Sequence, residues 1–192
     1  MIAIIDYNAG NIQSVRFALN RLGIEPVLTN DTEQLLKAEK VIFPGVGEAG
    51  TAIKFLKEKN LDKLIPQLLQ PVLGICLGLQ LMCQHSEESN TDCLGIFPVR
   101  VKKFDPVLKV PHVGWNSISK LKSPIFNDCS EDSYVYYVHS YYAEISEHTI
   151  AETSYINPFS AALQKNNFYA VQFHPEKSSG VGEQILKNFL AL

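Results

Sequence analysis

Between residues 1 and 85 of this 192-residue chain, short apolar runs alternate with segments whose apolar residues recur at helical spacing, and that alternation restricts the fold more than any other feature. Residues 2–6 form a short, nearly all-apolar run, the pattern of a parallel strand covered on both faces. Tyr7-Asn8-Ala9-Gly10-Asn11 reads as a turn in which Asn11 can cap the next helix. That helix repeats Ile12, Val15, Ala18, Leu19 and Leu22 and stops at Gly23. A strand over 24–29, a helix over 31–39, a strand over 40–43, helical segments through 69 and a buried strand over 71–75 continue the series. The order β-α-β-α-β-α-β-α implies a parallel sheet with helices on both faces, whose functional sites form at the carboxyl ends of the strands.

After residue 85 the pattern changes. Residues 99–104, 133–139, 149–154 and 168–172 are short and rich in β-branched and aromatic side chains, so added strands, partly antiparallel, are expected there. Residues 180–192 close the chain as an amphipathic helix. The expected fold class is α/β: a mostly parallel central sheet flanked by helices, with additional antiparallel strands in the second half.

With 46% hydrophobic residues and no linker-like stretch, the chain can bury one sizeable core, and 1–192 reads as one domain. A net charge of −3 with scattered lysines and arginines gives no footprint for nucleic acid or an anionic membrane. The apolar N-terminus lacks a basic region before it and ends too soon for a signal peptide, and no run is long enough to span a bilayer. A cytoplasmic location follows as the expectation. Cys76, Cys83, Cys93 and Cys129 form no CxxC pair, and neither they nor the five histidines fall into a paired ligand pattern, so no disulfide, metal or cofactor is expected.

The most informative stretch is Gly74-Ile75-Cys76-Leu77-Gly78, between a buried strand and a helix. It is the cysteine counterpart of the Gly-x-Ser-x-Gly elbow, in which a tight turn lifts a nucleophile above the sheet. Glycines are needed there because side chains would block the approach of helix to strand. The positive end of a helix and an adjoining imidazolium both favour a thiolate, the species that attacks. A cysteine taken alone is most often a small buried hydrophobe, and the elbow pattern without a base also fits other cysteine hydrolases and isomerases.

A base is available in Tyr169-Ala170-Val171-Gln172-Phe173-His174-Pro175-Glu176-Lys177. A strand ends at His174, and Pro175 fixes the backbone so that Glu176 can return toward the imidazole. A carboxylate on one ring nitrogen holds the tautomer in which the other can take a thiol proton.

These two motifs, in this order, resemble the class I, or triad, glutamine amidotransferases. The resemblance covers essentially the whole chain. It implies a flavodoxin-like glutaminase fold and hydrolysis of glutamine through a γ-glutamyl thioester, with Cys76 as nucleophile, His174 as base and then acid, and Glu176 as orienter. Phe43-Pro44-Gly45-Val46-Gly47 follows a buried strand, so its backbone N–H groups should lie near the strand's carboxyl end and serve an oxyanion, with Leu77 N–H as the second donor. In the family the matching loop lines the glutamine site, and Gln80 with the backbone at Ser140 and Tyr141 matches positions that hold glutamine's amino-acid end. Gly45 and Gly47 permit a peptide flip at little steric cost, which points to a loop that sits inactive until a partner docks.

Three further motifs, Ile5-Asp6-Tyr7-Asn8-Ala9-Gly10-Asn11, Pro111-His112-Val113-Gly114-Trp115-Asn116 and Tyr136-Tyr137-Val138-His139-Ser140-Tyr141, resemble the family members that serve histidine biosynthesis. Those members dock as heterodimers on the mouth of a (β/α)8 barrel cyclase and send ammonia through it. Asn8 stands where many of them carry glycine, and asparagine is the best-tolerated substitute if that position needs a positive φ. The match places Trp115 at the docking face, with Asn11, Tyr136 and Lys177 as further interface residues. The alternatives are a paralogous glutaminase feeding another synthase, such as one amidating a cell-surface sugar or making a cofactor, and a non-catalytic module of the same fold that only regulates a partner.

Overall fold

The structure, a computed structural model, describes residues 1–7 and 12–192. Asn8 and Asn11, on which two of the expectations above fall, lie outside the described residues.

The chain runs β1 (Ile2–Ile5), α1 (Ile12–Arg21), β2 (Val27–Thr29), α2 (Thr32–Lys37), β3 (Lys40–Phe43), α3 (Ala49–Glu58), α4 (Leu61–Leu64), β4 (Val72–Ile75) and α5 (Leu77–Met82). It continues with the short strands β5 (His85–Ser86), β6 (Thr91–Asp92) and β7 (Arg100–Lys103), then β8 (His112–Ile118) and β9 (Ser133–His139). β10 (Tyr141–Ala143), β11 (Thr149–Ser154), β12 (Pro158–Lys165), β13 (Phe168–Val171) and α6 (Ser179–Ala191) complete it. Seven strands form the central sheet in the order β11-β12-β13-β4-β3-β1-β2. From β13 to β2 every pairing is parallel, and β11 and β12 add antiparallel strands at one edge. The expected sheet is therefore present, while the predicted strand over 24–29 shrinks to three residues at the edge.

Both faces of the sheet are covered, and the period of two along a strand sorts its side chains between them. In β1, Ala3 and Ile5 join a cluster with Leu35, Leu56 and Leu79, whereas Ile2 and Ile4 join one with Leu19, Ile185 and Phe189. Helices α2 to α5 thus pack on one face, and α1 and α6 on the other. This explains why the inner strands read as unbroken apolar runs.

Outside the central sheet, β8 and β9 pair as a two-stranded antiparallel ribbon, and β10-β7-β5-β6 form a small second sheet. Among the described residues no helix is long and apolar enough to cross a membrane.

Candidate active site

Three neighbouring parallel strands carry the candidate site residues. β4 lies between β3 and β13, so the segments just past their carboxyl ends are adjacent although far apart in sequence. Pro44 to Gly47 follows β3, Cys76 follows β4, and His174 follows β13. Strand spacing of about 4.8 Å is what brings them together.

Cys76 has φ 53° and ψ −107°, a backbone conformation L residues rarely adopt, which costs roughly 1–3 kcal/mol. The turn is held by Cys76 N–H donating to Val171 O at 2.8 Å and by the close seating of α5 on the sheet. A methyl group on Gly78 would fall on the Phe43 carbonyl, and one on Gly74 would meet the Met82 sulfur at 2.9 Å and the Gly78 backbone at 3.0 Å. Both glycines are therefore required by the approach of helix to strand. The helix that follows is six residues long.

His174 is almost fully buried. Its Nδ1 lies 2.8 Å from Glu176 Oε1 and, facing a carboxylate, carries the proton. Nε2 is left as the basic nitrogen and makes no hydrogen bond among the described residues, while the imidazole as a whole interacts with Cys76. Burial opposes the imidazolium, but contact with the Cys76 sulfur and then with Glu176 outweighs it, and the His174 pKa is raised to about 10. The 3-10 turn Pro175–Lys177 carries Glu176 back beneath the ring, and Ser178 Oγ donates to His174 O at 2.7 Å.

Cys76 opens into a cleft of about 290 Å³ whose lining includes Val46, Gly47, Leu77, Gln80, Ser140 and Tyr141. Those six residues were expected there. Gly45 lies behind the lining, where its carbonyl accepts the Leu77 N–H at 3.3 Å. The expected second oxyanion donor is thus occupied, and the loop presents an acceptor where a donor was anticipated. Tyr7 fixes the start of this loop: its hydroxyl donates to Pro44 O at 2.5 Å, and burial raises its pKa well above the usual phenol value.

Two residues of the site had escaped sequence reasoning. Glu88 lines the cleft as a half-buried carboxylate; burial raises its pKa, although Ala49 N–H donates to its Oε2 at 2.8 Å. Gln172, fully buried, donates from Nε2 to the Cys76 sulfur at 3.6 Å. Nothing local marked Glu88, which sits in an irregular stretch, whereas Gln172 stood as a polar residue at the end of an apolar strand two positions before the base.

Of the expected interface residues, Trp115 is half-exposed on β8, opposite Tyr136 on β9, with ring centroids 6.0 Å apart. Lys177 is exposed and, with Trp115, Arg21 and Glu183, lines a second cleft of about 390 Å³.

A buried thiol on a strained elbow, with a carboxylate-steered imidazole beside it, defines a cysteine amidohydrolase built on an α/β sheet. The chain belongs to the family Glutamine amidotransferase class-I, which its residues 3–192 match. It is 62% identical to the imidazole glycerol phosphate synthase subunit HisH of Bacteroides fragilis strain YCH46, over 100% of this chain and 99% of that protein. It is 44% identical to the subunit of the same name from Idiomarina loihiensis, over 100% of this chain and 97% of that one. Among solved structures, one described as PurLQS from Thermotoga maritima superposes with a TM-score of 0.76 at 15% identity, covering 99% of this chain and 97% of that one. A second, described as a glutamine amidotransferase, gives 0.77 at 16% identity, over 100% and 98%. At those identities the two structures establish the shared fold.

Proposed function

We propose that this chain is the glutaminase subunit of an imidazole glycerol phosphate synthase, one domain over 1–192 that acts in the cytoplasm without a cofactor. It hydrolyses glutamine and delivers ammonia to a (β/α)8 barrel cyclase, which forms imidazole glycerol phosphate and AICAR in histidine biosynthesis. The observation that carries the chemistry is the 2.8 Å bond between His174 Nδ1 and Glu176 beside the Cys76 elbow. The pathway assignment rests on full-length similarity to relatives that carry the name.

Glutamine enters the cleft with its amino-acid end toward Gln80, Ser140 and Tyr141. Glu88 faces its ammonium group, a cation that the carboxylate's desolvated setting favours pairing with. The Cys76 proton passes to His174 Nε2, and the sulfur attacks the side-chain amide carbon, forming a C–S bond. His174 returns the proton to the nitrogen as the C–N bond breaks, releasing ammonia and leaving a γ-glutamyl thioester. Water, deprotonated by the same nitrogen, then cleaves the C–S bond to give glutamate, and the proton returns to sulfur.

The oxyanion formed at each addition needs donors. Turning the Gly45–Val46 peptide would withdraw the Gly45 carbonyl from Leu77 N–H and offer Val46 N–H in its place, giving two donors. Docking of the cyclase on the ribbon around Trp115, with Asn11, Tyr136 and Lys177 as further contacts, favours that turn. The test is to mix the chain with a candidate cyclase and follow glutamine-dependent formation of imidazole glycerol phosphate. Covalent labelling of Cys76 by a glutamine-like electrophile, read as a mass shift, should vanish in Cys76→Ser. No product in the mixture, or a mass shift that persists in the variant, contradicts the reading.

A further inference from the structure

Around the nucleophile runs a chain of buried amides whose donor directions can be worked out from the backbone. A main-chain carbonyl only accepts, so the Gln80 side-chain atom 3.0 Å from Tyr141 O is the amide nitrogen. The same nitrogen lies 3.1 Å from Gln172 Oε1, which fixes the Gln172 amide with its oxygen toward Gln80. Its NH2 group must then face the other way, and there it meets the Cys76 sulfur at 3.6 Å. The opposite orientation would set two amide nitrogens against each other and an oxygen against the sulfur. Gln172 cannot turn to water instead, because it is fully buried and its backbone N–H is held by Ala161 O at 2.8 Å.

Among the described residues, the sulfur is also placed to donate to the Val138 carbonyl at 3.9 Å. That oxygen suits the thiol, which can donate to it, and opposes the anion. The Gln172 N–H does the reverse, since a donor gains strength when its acceptor becomes charged.

We propose that Gln172 is a further catalytic residue, whose side-chain amide donates to the reacting sulfur of Cys76 and stabilises it as the thiolate before attack and again when the thioester breaks. Gln80 is its positioning residue, so one buried chain joins the side chain expected to hold glutamine to the atom that attacks it. The inference rests on the glutaminase reading above for its catalytic consequence. Its geometric part, an N–H aimed at sulfur, concerns Cys76 alone.

The experiment compares Gln172→Glu and Gln172→Met with the unaltered chain, each in complex with the cyclase. Iodoacetamide modification of the Cys76 peptide is followed by mass spectrometry from pH 5 to pH 10. In Gln172→Glu one carboxylate oxygen can still accept from Gln80 while the other faces the sulfur as a like charge. Half-maximal modification should move up by at least about one pH unit. Gln172→Met, close in volume and unable to donate, should move it in the same direction by less. kcat for glutamate release should fall at least about tenfold in Gln172→Glu, with KM for glutamine within about threefold. Should Gln172→Glu not fold, Gln172→Met carries the same comparison. A modification profile identical to that of the unaltered chain overturns the assignment, as does a fall in kcat without any change in the profile. If the unaltered complex releases no glutamate, the glutaminase reading fails, and the profile still decides whether the amide acts on the sulfur.

Discussion

The two halves of the active site are built to different tolerances. On the base side, His174 is held by a closed set of short bonds. Nδ1 lies 2.8 Å from Glu176, the His174 N–H donates to Tyr136 O at 2.9 Å, Ser178 Oγ donates to His174 O at 2.7 Å, and Tyr136 N–H donates to that same Oγ at 2.9 Å. α6 packs so tightly on this turn that a side chain at Gly182 would strike the Pro175 carbonyl. On the oxyanion side, Tyr7 anchors Pro44, and beyond it come two glycines, Gly47 at φ 134°, tied to the elbow by one long bond of 3.3 Å. On the proposed reading, the proton-transfer side is held by several short bonds, and the oxyanion side is one peptide rotation short of offering two donors.

If that contrast is right, the two halves should respond differently to intervention. The largest effect belongs to the rigid half. His174→Ala removes base and acid together and should lower kcat by on the order of 10⁴-fold or more, whether or not the cyclase is present. Glutamate release by the complex and by the isolated chain measures it. A loss of less than about tenfold would mean that the assembled half is not the proton-transfer machinery at all.

The unassembled half predicts dependence on the partner. Oxyanion donors are worth about 3–4 kcal/mol each, so the isolated chain, with Leu77 N–H engaged by Gly45 and Val46 N–H turned away, should turn over glutamine at least about 10²–10³-fold more slowly than the complex, the loss expected for a single donor. Equal rates with and without the cyclase would erase the distinction between the halves.

Much of the rigid half was legible beforehand, for a physical reason. Glycines at 74 and 78 can be read as close packing, and the Pro175 constraint can be read as a turn, because each is a property of residue type. The parallel sheet was legible in the same way, as unbroken apolar runs. β12 was not, since its Ala161 and Ala162 carry no β-branched signal although the strand is buried between β11 and β13. β8 was met only as a motif, because Gly114 and Asn116 interrupt its alternation. The direction of the Gly45 carbonyl could not be read from the sequence, because a glycine peptide can face either way. Gln172 and Glu88 were missed because their meaning depends on neighbours 96 and 39 positions away, Cys76 and Ala49.

The ribbon β8–β9 links the halves to the outside. Trp115 and Tyr136 share its exposed face, and Tyr136 is bonded through its backbone to the His174 segment. Trp115→Ala should weaken binding of the cyclase by at least about 2 kcal/mol, leaving the isolated chain folded and its slow turnover unaltered. A titration of the two proteins reads the first, and glutamate release without the partner reads the second. Unchanged affinity would move the docking face elsewhere.

The smallest effect tests how the inner face of the same ribbon is held. His139 Nδ1 donates to Tyr141 O at 2.8 Å, which leaves its Nε2 to accept from His112 Nδ1 at 3.1 Å. His112 is stacked between Tyr155 and Tyr137, with centroids 4.0 and 5.0 Å away. Burial lowers the pKa of His112 to about 4 and that of His139 to about 3, from an ordinary 6.5, so both rings are neutral in the folded chain. The unfolded chain takes up protons as the pH falls below 6.5, and the folded one does so only near 4 at His112 and near 3 at His139. Acid therefore favours unfolding, and stability present above pH 6.5 is lost progressively as the pH falls toward 4. By linkage, each such ring accounts for about 2 kcal/mol between pH 7 and pH 5. His112→Gln keeps an N–H for His139 and removes one titrating ring. Its loss of unfolding free energy over that interval, read by denaturant titration at the two pH values, should be smaller by about 1–2 kcal/mol than that of the unaltered chain. Equal losses would mean that His112 is reached by water and protonated without unfolding, and that the ribbon is looser than the half of the site it supports.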